Sequence, residues 1–103
     1  ISSKFLLDMG YEIITANYRT RYGEVDIIAK DNGVLVFVEV KLRSGTSYGR
    51  GLEAVNHSKV EKIQKVALEY IQKNYDSEPA CRFDVIEITN SEKMKILHVK
   101  NAF

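Results

Sequence analysis

Two carboxylates and a lysine, spaced around a predicted turn, are the residues of this chain best suited to catalysis. Asp26 and Glu39 are thirteen positions apart, and Lys41 follows Glu39 after one apolar residue. Carboxylates placed side by side repel each other, and a hard cation such as Mg²⁺ (or Mn²⁺) offsets that repulsion. Water bound to such a metal is a nucleophile, which a nearby lysine would orient. These residue types are therefore compatible with a metal site that activates water and leaves positions open for a substrate phosphate.

An Asn-Gly pair at positions 32–33 determines whether the two carboxylates meet. It lies between apolar runs, which is the strongest short-range signal for a two-residue hairpin turn. Counting outward from this turn places Asp26 opposite Glu39. Two positions further out, Glu24 lies opposite Lys41, and all four side chains share one face. The other face receives apolar side chains at every second position, namely Val25, Ile27, Ala29, Val36, Val38, Val40 and Leu42.

The remaining roles at this site follow from the same register. The backbone carbonyl of Val40 is a candidate third metal ligand, and Glu24 would hold the Lys41 ammonium or complete a water-mediated metal shell. The alternative is a solvated strand face on which Glu24 and Lys41 form an ordinary cross-strand ion pair, worth a fraction of a kcal/mol. Because Asp-x(n)-Glu-x-Lys is a loose pattern, the sequence leaves both interpretations open.

Periodicity along the chain predicts the elements that hold these residues. We expect a helix ending at Gly10, strands over 11–18, 24–30 and 34–43, a helix from 56 or 58 to 74, and strands over 82–89 and 94–100. Glycines and small hydroxyl residues predict a mobile loop over 44–51, followed by one helical turn over 52–55. A helix between two strands implies a crossover to a parallel strand. The prediction is an α/β fold with a mixed sheet flanked by helices, in the order α-β-β-β-α-β-β.

Length and composition place the chain among ordinary folded proteins. Its 103 residues suffice for one domain, and 45% are hydrophobic while 28% are charged. No apolar run is long enough to cross a membrane, and there is no secretory signal. A lone cysteine, Cys81, fits a reducing compartment, so we expect a cytoplasmic protein in which Cys81 packs in the core or has no role. The chain opens at Ile1 inside a predicted helix, so we expect an N-terminal truncation.

Nucleic-acid contacts would have to come from local charge, because the net charge is only +1. A basic flank and one aromatic residue follow the second hairpin strand, and they supply the candidates Arg43, Tyr48, Arg50 and Lys59. The lysines at 59, 62 and 65 also fit a solvated helix face, and Arg19 and Arg21 are open to the same two interpretations.

Several other polar residues are given no chemical role. The histidines at 57 and 98 are isolated and lack the paired spacing of a zinc site. Asp84 and Glu87 point to opposite faces of one predicted strand, and we expect them to be structural or exposed.

Together these features resemble the PD-(D/E)XK superfamily of metal-dependent nucleases, and more closely the YraN-type family of uncharacterised bacterial proteins. The similarity runs through positions 10–11, 17–19, 23–29, 36–41, 54–55, 59, 82–85 and 102–103. It implies a restriction-endonuclease-like fold, kinship with Holliday-junction resolvases, Asp26 and Glu39 as metal ligands, and Lys41 as the catalytic lysine. Val25 replaces the superfamily's proline. The family's Gly-Glu element, on a longer first helix, would precede this chain.

Three functions are compatible with this sequence. The first is a Mg²⁺-dependent nuclease that acts on DNA, including branched or junction DNA. The second is a module of the same fold that binds nucleic acid without cutting it. The third is a small interaction protein that forms a homodimer through an exposed sheet edge.

Overall fold

The predicted order of helices and strands is confirmed. A computed structural model of the chain describes residues 2–44, 57–90 and 93–103. Its elements are α1 (Ser2–Asp8), β1 (Glu12–Thr20), β2 (Gly23–Asp31), β3 (Val34–Ser44), α2 (His57–Asn74), β4 (Cys81–Asn90) and β5 (Lys95–Val99). The loop predicted over 44–51 falls beyond the described residues from position 45 onward, as does the helical turn predicted over 52–55.

The five strands form one mixed sheet in the order β1-β2-β3-β4-β5. β3 and β4 are parallel, and the other neighbouring strands are antiparallel. The chain connects β3 to β4 through a segment that contains α2, as a crossover between parallel strands requires. The expected α/β architecture with a parallel fourth strand is therefore confirmed.

The β2–β3 hairpin has the predicted turn. Asn32 and Gly33 both adopt positive φ, +51° and +82°, which is the conformation of a type I′ turn. Asp31 pairs with Val34, and the register then runs without a shift as far as Ile27. This part of the predicted register is confirmed.

Apolar side chains form a core on each side of the sheet. The α2-side core contains Val25, Ile28, Leu35, Phe37, Ile63, Val66, Ala67, Tyr70 and Ile71. The α1-side core contains Leu6, Tyr11, Ile27, Ala29, Val36, Val38, Ile86 and Ile88. Because β3 contributes alternate residues to both cores, it is buried on two faces, as its nearly continuous apolar run indicates.

A buried carboxylate attaches β5 and the C-terminal segment to β4. Asp84 is fully buried, and its Oδ1 accepts hydrogen bonds from Arg82 Nε at 3.0 Å and from the backbone N–H of Asn101 at 3.0 Å. Its Oδ2 lies 2.8 Å from His98 Nε2. Burial alone would raise the pKa of Asp84, but the bonds from His98, Arg82 and Asn101 outweigh it and lower that pKa. Of the two roles expected for Asp84, the structural one is confirmed.

The same network reaches across the sheet to β2 and α1. The Nη2 atom of Arg82 lies 2.6 Å from the Tyr11 hydroxyl and 3.1 Å from Asp31 Oδ2. His98 contacts the edges of two aromatic rings, with its centroid 5.8 Å from that of Phe5 and 5.9 Å from that of Tyr11. His98 is thus a core residue whose partner the sequence did not indicate.

The structure bears on two further expectations, the burial of Cys81 and the absence of a segment that crosses a membrane. Cys81 begins β4 and is exposed, so the expectation that it packs in the core is wrong. In the part of the chain that the structure describes, neither helix has the length and apolar character needed to cross a membrane.

Replacing Asp84 with Asn tests the buried network. Asp84→Asn should lower the unfolding free energy by about 3 kcal/mol at neutral pH, because Arg82 and His98 lose a buried ionised partner. The pKa of Asp84 is depressed by folding, so its contribution is fully present above the ordinary aspartate pKa and is lost as pH falls through the folded-state value. Urea unfolding at several pH values would measure both effects.

Glu24→Gln is the matched control. It removes an exposed ion pair with Arg19 and should cost less than about 1 kcal/mol. Equal losses for the two variants, or an Asp84→Asn loss that does not shrink in acid, would contradict the assignment.

Candidate functional site

Counted outward from the Asn32–Gly33 turn, the backbone pairing of β2 with β3 ends one residue short of Asp26. The last pair is Ile27 with Val38, and the predicted pairings of Asp26 with Glu39 and of Glu24 with Lys41 are not part of the ladder. The N–H of Val40 donates instead to Asp26 Oδ2 at 2.7 Å. A side-chain carboxylate therefore takes the place of a backbone acceptor where the two strands separate.

The predicted common face for the four polar side chains is wrong because the alternation of β2 breaks at this point. Val25 packs with Ile28 in the α2-side core, whereas Ile27 packs in the α1-side core. Asp26 lines a groove on the α1 side, and Glu39 faces α2. The other groove residues are Ser2, Ser3, Ala16, Asn17, Ile27, Val40 and Leu42. Asp26 and Glu39 therefore approach the end of the β2–β3 ladder from different sides.

Glu39 is a buried carboxylate with two ammonium groups near one oxygen. Only 8% of the residue is exposed. Its Oε1 lies 2.8 Å from Lys59 Nζ and 3.9 Å from Lys41 Nζ. A buried carboxylate requires such partners, since an unpaired buried charge is strongly destabilising. Lys59 on α2 thus supplies a large part of the compensation that the sequence led us to expect from a metal.

The two lysines respond to this arrangement in opposite directions. Burial lowers the pKa of Lys41, and the hydrogen bond and positive charge of Lys59 lower it further. Burial also opposes the charged form of Lys59, but its bonds to Glu39 and Lys41, with the charges of Glu39 and Asp26, raise its pKa overall. Lys41 therefore holds its proton less tightly than an ordinary lysine does, and Lys59 holds its proton more tightly.

Glu24 has a different partner from the one predicted. Its Oε2 lies 2.9 Å from Arg19 Nε, on the neighbouring strand β1, where the two residues are register partners. The expectation that Glu24 holds the Lys41 ammonium is therefore wrong. A water-mediated role for Glu24 at a metal stays a prediction.

A second buried acid, besides Glu39, lies next to Lys41 in the sheet, and the sequence did not identify it as buried. Glu87 is fully buried, pairs in register with Lys41, and lies 3.7 Å from Arg43 Nε. Of the two roles expected for Glu87, structural or exposed, the structural one is confirmed, but its partner was not foreseen because the parallel register of β3 with β4 has no local sequence signal. Arg43, a predicted nucleic-acid contact, is thereby anchored beside Lys41.

The other predicted nucleic-acid contacts divide into two groups. Lys59 lies at the site, bonded to Glu39. Tyr48 and Arg50 lie outside the described residues, so their predicted roles stay predictions.

The oxygen donors at this site fit a hard metal ion that keeps most of its water. Within residues 2–44, 57–90 and 93–103, no three His, Cys, Asp or Glu side chains gather as a metal cluster. Asp26 Oδ2 accepts the N–H of Val40, and Glu39 Oε1 lies near the ammonium groups of Lys59 and Lys41. The Val40 carbonyl lies on the same strand edge as its N–H. Two carboxylates and one carbonyl suit Mg²⁺, which takes few protein ligands, and do not suit zinc.

The importance of Lys59 for Glu39 can be measured directly. Lys59→Met should lower the unfolding free energy by about 1.5 kcal/mol, because the buried carboxylate loses its shortest bond and retains only the more distant Lys41. Lys62→Met, at an exposed position on the same helix, should change it by less than about 0.5 kcal/mol. Chemical denaturation of the two variants in parallel would show the difference. Indistinguishable midpoints would mean that Lys59 does not stabilise Glu39.

Comparison with known proteins identifies similar sequences but no activity. A sequence profile described as "Uncharacterised protein family UPF0102" matches residues 1–88. A UPF0102 protein of Persephonella marina is 45% identical over 100 residues, covering 97% of this chain and 84% of the relative. One of Alkaliphilus oremlandii is 48% identical over 102 residues, covering 96% and 87%. One of Rhodococcus opacus is 42% identical over 105 residues, covering 100% and 89%.

Proposed function

The chain belongs to the uncharacterised protein family UPF0102, and we propose that it is a divalent-metal-dependent nuclease that hydrolyses phosphodiester bonds in DNA. The observation that supports this most strongly is that Asp26 is bonded to the backbone of Val40, the residue between Glu39 and Lys41, while Lys41 Nζ lies 3.9 Å from Glu39 Oε1. We propose further that the mixed sheet with its flanking helices is a restriction-endonuclease-like fold, as the sequence resemblance implies.

The metal in this proposal is Mg²⁺ or Mn²⁺, held by Asp26, Glu39 and the backbone carbonyl of Val40. When bound, such an ion polarises a water molecule and neutralises charge on a phosphate. Asp26 is already oriented by its bond to Val40, so it is held next to the backbone that would supply the third donor. Glu39 lies 2.8 Å from Lys59 through Oε1, and its other oxygen, Oε2, is the one that would bind the cation.

The two lysines have separate roles in this mechanism. Burial lowers the pKa of Lys41, and its amino group would orient the attacking water. Lys59, which remains charged, balances Glu39 until a phosphate arrives, and then offers it a fixed positive group. Arg43, anchored by Glu87, would bind an adjacent phosphate on the same side of the sheet.

Cleavage assays test the proposed chemistry. Asp26→Asn and Lys41→Met should each reduce Mg²⁺-dependent cleavage of DNA by about 100-fold or more, because each removes a group that contacts the reacting phosphate or water. Duplex, single-stranded and four-way junction DNA should be compared as substrates. Asp76→Asn and Lys100→Met, both at exposed positions, are charge-matched controls. Equal cleavage by the wild-type protein and all four variants would show that the activity is not at this site.

Metal binding can be measured without catalysis. In a titration with Mn²⁺ followed by electron paramagnetic resonance, Asp26→Asn and Glu39→Gln should weaken binding. Lys59→Met should strengthen it about fivefold, or roughly 1 kcal/mol, because the Lys59 ammonium competes with a cation for Glu39. Weaker Mn²⁺ binding by Lys59→Met, or unchanged binding by Asp26→Asn, would contradict the proposed ligands.

One observation favours the second candidate function, a nucleic-acid-binding module without nuclease activity. Lys59 already neutralises Glu39, so the buried carboxylate does not require a metal for stability. In that case wild-type protein would bind DNA in a salt-dependent way, Asp26→Asn would bind equally well, and no preparation would cut. Homodimer formation through the β1 or β5 edge stays a prediction that light scattering would test.

A further inference from the structure

We infer that a cleft beside the β1–β2 turn, formed by Arg21, Tyr22 and Lys65, binds a single-stranded nucleic-acid segment next to the metal site. This inference rests on the proposed function, because it names the part of the substrate that lies outside the reacting phosphate. The cleft has a volume of about 390 Å³. It is lined by Arg21, Tyr22, Lys65, Leu68, Glu69 and Gln72.

Two cations converge on one aromatic ring in this cleft. The Arg21 Cζ atom is 4.9 Å from the centroid of the Tyr22 ring, and the Lys65 ammonium is 5.9 Å from it. Arg21 Nη2 also donates to the Tyr22 hydroxyl at 2.8 Å. Two like charges around one ring repel each other, so an anion bound between them would be stabilised.

The acidic residue of the cleft, Glu69, offsets only part of this positive charge, although its carboxylate also acts electrostatically on Arg21. Glu69 Oε1 lies 3.0 Å from Lys73 Nζ, one turn further along α2. In the described part of the chain, neither Arg21 nor Lys65 forms a salt bridge with a carboxylate. The cleft therefore has an excess of positive charge, which is complementary to a phosphate.

The aromatic ring makes the cleft more suitable for a nucleotide than for phosphate alone. Tyr22 is half-buried and packs against the α2-side core, so its position is fixed by the fold. Arg21 is exposed and is held over that ring, which orients a planar guanidinium toward solvent. An unpaired base can stack on a guanidinium or an aromatic plane, whereas the bases of a duplex are covered by their neighbours. The cleft thus favours a single strand.

A row of lysines connects this cleft with the proposed active site. Lys59, Lys62 and Lys65 follow each other at three-residue intervals on α2, and the first of them is bonded to Glu39. The Lys62 Cβ lies close to the β1–β2 turn, 4.0 Å from where a Cβ on Gly23 would be. Along the helix axis, Lys65 is about 9 Å from Lys59, which matches roughly three nucleotides of a stacked strand.

Fluorescence anisotropy with a labelled fifteen-residue oligothymidylate in EDTA tests this cleft without cleavage. Arg21→Gln and Lys65→Gln should each weaken binding of this strand about tenfold, and Lys65→Gln should reduce the slope of log affinity against log salt by about 0.7. A blunt DNA hairpin should bind both variants as it binds wild type. Lys4→Gln, which removes an exposed lysine on α1, should match wild type with both probes.

Tyrosine variants separate stacking from folding. Tyr22→Phe keeps the ring and should bind within about twofold of wild type, whereas Tyr22→Leu should lose about tenfold. Circular dichroism would confirm that the variants are folded. If Tyr22→Leu unfolds, the exposed Arg21 and Lys65 variants still decide the question.

Three results would overturn the inference. One is wild-type protein that does not bind the oligothymidylate, and another is Arg21→Gln and Lys65→Gln binding as Lys4→Gln does. The third is an acidic peptide of ten glutamates that displaces the strand as well as unlabelled strand, which would indicate a general anion site. The nuclease proposal would fail in a different way. In that case no DNA would be cleaved, but binding of the strand in EDTA would still depend on Lys65.

Discussion

β2 and β3 separate after Ile27 and Val38, and at that point a side chain replaces the backbone as the hydrogen-bond acceptor. The N–H of Val40 cannot remain unpaired where β3 enters the core, and the Asp26 carboxylate satisfies it at 2.7 Å. This bond fixes Asp26 against the residue that follows Glu39, although the two side chains come from different sides of the sheet. The separation of the two strands therefore leaves Asp26 and Glu39 on either side of the Val40 backbone without forming a regular pair.

The charges around Glu39 show how the chain can fold before any ligand binds. Lys59 compensates the buried carboxylate, and its own pKa rises through its bonds to Glu39 and Lys41 and the charges of Glu39 and Asp26. Burial lowers the pKa of Lys41, and the nearby Lys59 lowers that pKa further. One lysine therefore stabilises the buried carboxylate, while the other holds its proton less tightly. In this arrangement the positive group that supports folding would also compete with the proposed metal for Glu39. Stability and metal affinity should therefore change in opposite directions when Lys59 is removed.

The sequence predicted the parts of this structure that depend on local rules. The Asn-Gly turn, its register from Asp31 to Ile27, the order of elements and the parallel fourth strand were all accessible, because turn conformation and side-chain alternation act over a few residues. The break in alternation at Val25 was not accessible, since it reflects packing against α2. The Glu87–Arg43 and Asp84–His98 pairings were also missed, because each joins residues whose proximity is set by strand pairing that no short motif encodes.

Hydrogen-bond capacity separates the structural carboxylate from the candidate functional ones. An ionised carboxylate has about four acceptor positions. Asp84 meets four donors, at Arg82 Nε and Nη2, at the Asn101 N–H and at His98, so it has no remaining capacity for a ligand. Asp26 accepts the Val40 N–H through Oδ2, and Glu39 Oε1 lies near the Lys59 and Lys41 ammonium groups. All three lie in or beside buried strands, and what distinguishes them is the number of donors around each carboxylate. A cation would complete Asp26 and Glu39, whereas at Asp84 it would have to displace bonds that hold β5 and the C-terminal segment in place.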